Sequence, residues 1–224
     1  MPFELFDRDA EVRITAGHLP HWYQPGVTYF ITFRTDDSLP VAVAETWYRR
    51  RDEWLQQHGI DPHANWTSAL KRLPEIQQAQ FHRTFSREFM ELLDKGHGAC
   101  VLRRVDVAET VERTLLFDDG RRCRLLAWVI MPNHVHLLVE MWQTPLNKLL
   151  HSWKTLTSKR ANALLGRSGQ LWQEDYRDRY MRDETHYRKT VRYIENNPVK
   201  AGLVQSPETW RFGNAWWRVN GVTA

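Results

Sequence analysis

Apolar and polar positions set two periods along this chain, one near two residues and one near four, and the first period appears at residues 27–34. There VTYFITFR follows Pro25 and Gly26 with β-branched and aromatic side chains, which predicts a first and central strand. Ser38, Leu39 and Pro40 then open a helix whose apolar face is Val41, Ala44, Trp47, Tyr48, Trp54 and Leu55, with Arg49, Arg50 and Arg51 outside it and His58 and Gly59 at its end. Residues 61–98 are polar with Phe81, Phe85, Phe89, Leu92 and Leu93 at helical spacing, which predicts an inserted helical segment. Asp106 and Glu109 form a candidate capping pair for a helix that ends at Asp118, Asp119 and Gly120.

Residues 122–130 and 135–140 are strand-like runs separated by Met131, Pro132 and Asn133, so they predict a hairpin. Thr144 and Pro145 fit the N-cap and first position of a helix whose buried side is Leu146, Leu149, Leu150, Trp153 and Leu156. Lys148, Lys154, Lys159 and Arg160 are left for solvent or a ligand, and the helix ends in the segment 166–169. A short strand over 171–176 leads to Asp183, which caps a helix running to Asn197 and stopped by Pro198. The order predicts an α+β, ferredoxin-like fold: an antiparallel sheet with helices on one face, the other face left for a ligand, and an extra helical insertion. With no repeat or linker visible, we expect one domain over 1–224, with a core at 17–202, the insertion at 61–98 and a basic, aromatic tail at 203–224.

Composition narrows the class. The 224 residues are 42% hydrophobic and 26% charged, enough for one large core or two modest ones. No apolar run approaches the ~20 residues that span a bilayer. The N-terminal MPFELFDRDAEVR is acidic where a leader would be basic and then apolar, so no membrane and a cytoplasmic location are expected. Cys100 and Cys123 lack CxxC partners, which argues against a disulfide framework or zinc knuckle and for small buried or half-exposed side chains. A net charge of +4 suits a polyanion without demanding one. Eleven tryptophans interleave with basic residues, as at Trp47 to Arg51, Trp172 to Arg182 and Trp210 to Arg218. That mixture serves either base stacking on a single strand or an aromatic core.

Within AWVIMPNHVHLLVE, a strand period of two puts His134 and His136 on one face, opposite Val135 and Leu137. Two adjacent imidazoles make a pair of metal ligands, or two incidental histidines on a half-exposed strand. In YRKTVRYIENNPVKAG, a turn of ~100° per residue gathers Tyr187, Val191 and Ile194 on a buried face and leaves Tyr193 and Asn197 within ~40° on its flank. Tyr193 and Asn197 thus offer a hydroxyl and an amide together, or simply a packed ring and a helix end.

In combination, NHVHLL, WQEDYRDRYMRDE and YIENNPVKAG resemble the REP-associated tyrosine transposases, a branch of the single-tyrosine transposases in the HUH nuclease superfamily, over about Gly17 to Gly202. The resemblance implies a ferredoxin-like catalytic domain. It implies a divalent cation, Mg or Mn, held by His134 and His136 with Asn197, and Tyr193 as the nucleophile. Imidazoles alone would suit zinc or a late transition ion, whereas an amide and phosphate oxygens suit Mg or Mn. The implied activity is nicking and joining of single-stranded DNA hairpins from repetitive palindromes through a 5′-phosphotyrosine, by a cytoplasmic, nucleoid-associated monomer or homodimer. Lys154, Arg177, Arg179 and Arg182 are candidate DNA-binding residues, or else partners of Asp175, Asp178 and Asp183. Two rival readings are a non-catalytic hairpin-binding protein and a water-using metal-dependent hydrolase. The segment 61–98 departs from the shortest family members.

Overall fold

The computed structural model describes residues 13–15, 21–24 and 26–221. Most of the acidic N-terminal stretch, the start of the family resemblance at Gly17, Pro25 and the last three residues lie outside that set. Strands β1 (Arg13–Thr15) and β2 (His21–Tyr23) form a small antiparallel pair. The main sheet has four antiparallel strands, β3 (Thr28–Arg34), β4 (Cys123–Ile130), β5 (His134–Met141) and β6 (Arg177–Tyr180), in the order β4-β5-β3-β6. This is the predicted α+β, ferredoxin-like order, with β3 internal as expected.

Strand alternation divides the sheet into two faces. Tyr29, Ile31 and Phe33 of β3 join Val135, Leu137 and Val139 of β5 in the main core. Helices α5 (Val105–Asp118) and α6 (Leu146–Leu165) cover that face with Val107, Val111, Leu115, Leu149, Leu150 and Trp153. Each such aliphatic side chain contributes ~1.5–3 kcal/mol by leaving water. The alternate positions, including His134, His136 and Leu138, face the other way. Helix α7 (Glu184–Lys200) lies there, with Ile194 packed among Ala127, Val129, Met131, Leu138 and Met181. The second face therefore carries the tyrosine helix over part of its width.

Between β3 and α5 run α1 (Val41–Gln57), α2 (Trp66–Leu70), α3 (Glu75–Phe81), a π-turn at His82–Ser86 and α4 (Arg87–Asp94). Phe81, Phe85, Phe89 and Leu93 form a second buried cluster with Trp47, Leu55 and Leu70, and Leu92 sits at its margin. Val41 and Tyr48 of the predicted α1 face stay exposed, while Arg51 turns in over the rings of Trp47, Tyr48 and Trp66. At Gly98, φ is +83°, and a Cβ would collide with the Asp37 carbonyl. Glycine is thus required where the chain leaving α4 crosses the loop after β3, and the Asp37 carboxylate accepts from the Ala99 amide there.

Four boundaries differ from the sequence pattern. The last strand is Arg177–Tyr180 rather than 171–176; Leu171, Trp172 and Tyr176 are buried one by one, with Trp172 donating to Thr157 Oγ1, and only a single bridge joins Trp172 to Thr35. Helix α5 starts two residues earlier than a cap at Asp106 would place it, and Glu109 accepts from Arg113 instead of serving a capping box. Pro145 is the N-cap of α6, and Leu156 is 38% exposed while Thr157 and Ala161 take the buried positions. Helix α7 continues through Pro198 to Lys200, because a proline in the last turn forfeits little of the hydrogen-bond ladder and Leu203 closes the end by donating to the Pro198 carbonyl. Asp183 caps α7 as expected, accepting from the His186 amide.

Candidate metal and nucleophile site

The two histidines of β5 are fully buried, and register places His136 opposite Thr32 and His134 opposite Arg34 on β3. Their Nε2 atoms lie 3.1 Å apart. The outer ring nitrogens are held from behind. The Asn133 amide nitrogen donates to the His97 carbonyl, which turns its Oδ1 toward His134 Nδ1 at 2.8 Å. Since that oxygen only accepts, Nδ1 of His134 carries the proton and its Nε2 presents a lone pair. His136 Nδ1 meets the Thr32 hydroxyl at 2.8 Å, a group able to donate or accept. Without a cation, His136 can place its proton on Nε2 and bond to His134; with one, Thr32 can accept from Nδ1 and free the second Nε2.

Asn197 and Tyr193 of α7 approach from above. Asn197 is fully buried, and the Tyr193 ring stacks edge-on against His136 and Phe30. Asp94, at the end of α4, completes the group: Oδ1 lies 3.8 Å from His134 Nε2 and accepts from Asn197 Nδ2 at 3.2 Å, while Oδ2 accepts from Lys200 Nζ at 2.7 Å. Sequence pattern paired His134 with His136 and Tyr193 with Asn197, the family resemblance joined the two pairs, and the structure places the four side by side. The sequence reading missed Asp94, Lys200, Asn133 and Thr32. Asn133 and Lys200 stand inside the quoted motifs, whereas nothing local to Asp94 marks it.

Burial lowers the His134 pKa to about 3 and holds His136 well below its ordinary value, so both rings are neutral. Burial, reinforced by the Asp94 carboxylate, raises the Tyr193 phenol above its usual range, so it is protonated. The Tyr193 hydroxyl and Asn197 Oδ1 are buried with no hydrogen-bond partner among the described residues. An unmet polar group in the interior costs ~1–3 kcal/mol. Two imidazole nitrogens, an amide oxygen and a carboxylate fit a divalent cation, and the unmet hydroxyl fits an anionic oxygen beside it.

The basic candidates separate. Lys154 donates to the carbonyls of Gln173, Glu174 and Asp175, so its ammonium holds the turn before β6. Arg177 lies 3.7 Å over the Phe89 ring and near Trp47, in the seam between β6 and the insertion. Arg179 and Arg182 are exposed, and neither forms an ion pair among the described residues. The tryptophans serve mainly as core: Trp47, Trp128, Trp153 and Trp172 are buried, and Trp54, Trp66, Trp210 and Trp217 pack against the clusters. Cys100 and Cys123 are free and buried, as expected. No helix among the described residues is long and apolar enough to cross a membrane.

Residues 108–197, from α5 through the end of the candidate site, match the family model described as Transposase IS200 like. A REP-associated tyrosine transposase of Escherichia coli strain K12 is 30% identical over 88 residues, covering 38% of this chain and 50% of that protein. The chain thus spans about half the length of this curated relative. A solved structure of a REP-associated tyrosine transposase bound to a REP hairpin is 18% identical, with a TM-score of 0.45 over 91% of this chain and 86% of that one. The resemblance carried by the sequence motifs therefore holds: through residues 108–197 the chain is related to the IS200-like transposases.

Proposed function

We propose that the chain is a metal-dependent endonuclease and strand transferase for single-stranded DNA, acting on hairpins of repetitive palindromes through a 5′-phosphotyrosine. Tyr193 is the nucleophile, His134, His136 and Asn197 hold Mg or Mn, and the whole acts as one domain with an insertion at 61–98. The observation that carries the reading is the buried, unpartnered Tyr193 hydroxyl beside two neutral imidazoles with converging Nε2 atoms. The relationship to a transposase family and the name of the curated relative support the choice of repeat hairpins.

A bound divalent cation would draw charge from a phosphate oxygen and hold the phosphorus in place for in-line attack. Asn133 and Thr32 orient the rings that would hold it, through their contacts with the two Nδ1 atoms. Helix α7 fixes Tyr193 over those rings, so its oxygen meets phosphorus from one direction. The phenol loses its proton as attack develops, the O–P bond to tyrosine forms, and the 3′ oxygen of the upstream strand leaves as a hydroxyl. A later DNA hydroxyl can displace the phenolate, so joining conserves the bond energy.

The test is a denaturing gel of wild-type protein with a hairpin substrate and Mn or Mg. Label downstream of the cut should travel with the protein, and upstream label should appear as a free fragment ending in a 3′ hydroxyl. Tyr193→Phe should lose adduct and cleavage together while binding the hairpin nearly as before. Free ends without adduct would indicate a water-using hydrolase, and intact DNA a binding protein.

A further inference from the structure

We propose that Asp94, supplied by the insertion, is a direct ligand of the cation, so that the site is two histidines and a carboxylate with Asn197 alongside. This inference rests on the reading above that the two histidines bind a divalent ion. Helix α4 ends at Asp94, whose side chain is only 8% exposed although it lies 40 residues from the histidines in sequence. One ligand atom each from Asp94, His134 and His136 fall within 4.8 Å of one another. Coordination bonds of ~2.1 Å place neighbouring ligands ~3.0 Å apart in an octahedron and ~3.4 Å in a tetrahedron. The 3.1 Å between the Nε2 atoms already meets that spacing, and the 3.8 Å from His134 Nε2 to Asp94 Oδ1 needs a shift below about 1 Å, well within a carboxylate's torsional freedom.

The two carboxylate oxygens are divided between tasks. Oδ2 is anchored by the Lys200 ammonium, which aims Oδ1 at the histidines. Asn197 donates its amide nitrogen to Oδ1 and leaves its own Oδ1 buried without a partner. A cation at this point would take a lone pair from each of the two oxygens and both Nε2 atoms, and no hydrogen bond among the described residues satisfies the Asn197 oxygen. Charge argues in the same direction. Two imidazoles and an amide leave a divalent ion with its full charge among buried side chains, whereas one carboxylate halves the net charge and favours oxygen-preferring ions such as Mn and Mg over softer ones. The neighbouring geometry is prepared as well, since Gly98 and the Asp37 contact to Ala99 fix the chain just beyond α4.

The experiment is Mn2+ titration of the EDTA-stripped protein, read by loss of the free-ion electron paramagnetic resonance signal. Wild type should bind one ion in the site, and His136→Ala should lose it. Asp94→Asn should weaken binding at least about tenfold, because even the loss of an outer-shell partner commonly costs 10–100-fold, and Asp94→Glu should recover part of the affinity. Wild-type affinity in Asp94→Asn, with binding lost in His136→Ala, would overturn the carboxylate assignment and leave the histidine site intact. Absence of binding in wild type would overturn both. Hydrogen exchange on the wild-type protein covers the case in which Asp94→Asn does not fold: Mn2+ should slow the amides of residues 87–94, and unchanged exchange there despite Mn2+ binding would equally exclude Asp94 as a ligand.

Discussion

At the scale of single residues, the site is defined by atoms that pattern analysis weighs poorly. His134 and His136 were legible because a period of two is all that is needed to put them on one face. Asn133 and Thr32 were not, since fixing a ring nitrogen depends on amide orientation and strand register. Asp94 was invisible for a further reason: its relation to His134 exists only once the fold has brought the end of α4 beside β5. A comparable long-range effect acts on His82, whose pKa is lowered to about 4 by burial and then by the charges of Arg179, Arg182 and Arg177. Positive neighbours disfavour the imidazolium, so phosphates that neutralise Arg179 and Arg182 should raise this pKa by the part those two charges contribute. The expected observation is an upward shift of the His82 titration by NMR on saturation with hairpin DNA, reproduced in part by Arg179→Gln without DNA. A midpoint unmoved by saturating hairpin would place the DNA away from β6.

At the scale of elements, long amphipathic segments and the hairpin at 130–134 were readable because periodicity and turn chemistry agree there. The last strand was misplaced because Leu171, Trp172 and Tyr176 look like strand residues but enter the main core as side chains of an irregular segment, with only a single bridge from Trp172 to Thr35. What determines β6 is register on β3, which pairs Thr32 with Arg177 and Tyr29 with Tyr180. Lys154 is the device that delivers the chain to that register, since its ammonium donates to three successive carbonyls at 2.9, 2.8 and 3.2 Å. Lys154→Met keeps the stem and removes the donors, so those acceptors lose their partner and β6 loses its entry. The expected cost in urea unfolding is ~1–3 kcal/mol, with the largest loss of hydrogen-exchange protection in residues 173–180. Unchanged stability and protection would mean that the edge strand is held by its ladder alone.

At the scale of the molecule, a net charge of +4 is small, so the polyanion surface has to be sought where cations are left over rather than where they are numerous. Many are already engaged: Arg50 with Glu88, Arg104 with Asp106, Arg188 with Glu184, Arg211 with Glu112, Arg218 with Glu195 and Lys200 with Asp94. Others are absorbed by rings, as Arg51 is over Trp47 and Arg177 over Phe89. The interleaving of aromatic and basic residues along the sequence thus became, in large part, contacts inside the protein. Arg179 remains exposed on β6, opposite Phe30 and so on the face that carries Tyr193, and Arg182 is exposed in the approach to α7. If they are the phosphate contacts, the slope of log affinity against log salt for a hairpin should become shallower by ~0.7–0.9 for each when Arg179→Gln and Arg182→Gln are made. Lys154→Met should leave the slope unchanged, because its charge is directed into backbone carbonyls rather than outward. Preference for a hairpin with an unpaired flank over a plain duplex should persist across the salt series, since stacking and base contacts respond less to counterions. A double arginine variant with the wild-type slope, or a Lys154 variant with a shallower one, would reverse the assignment of which basic residues meet the DNA.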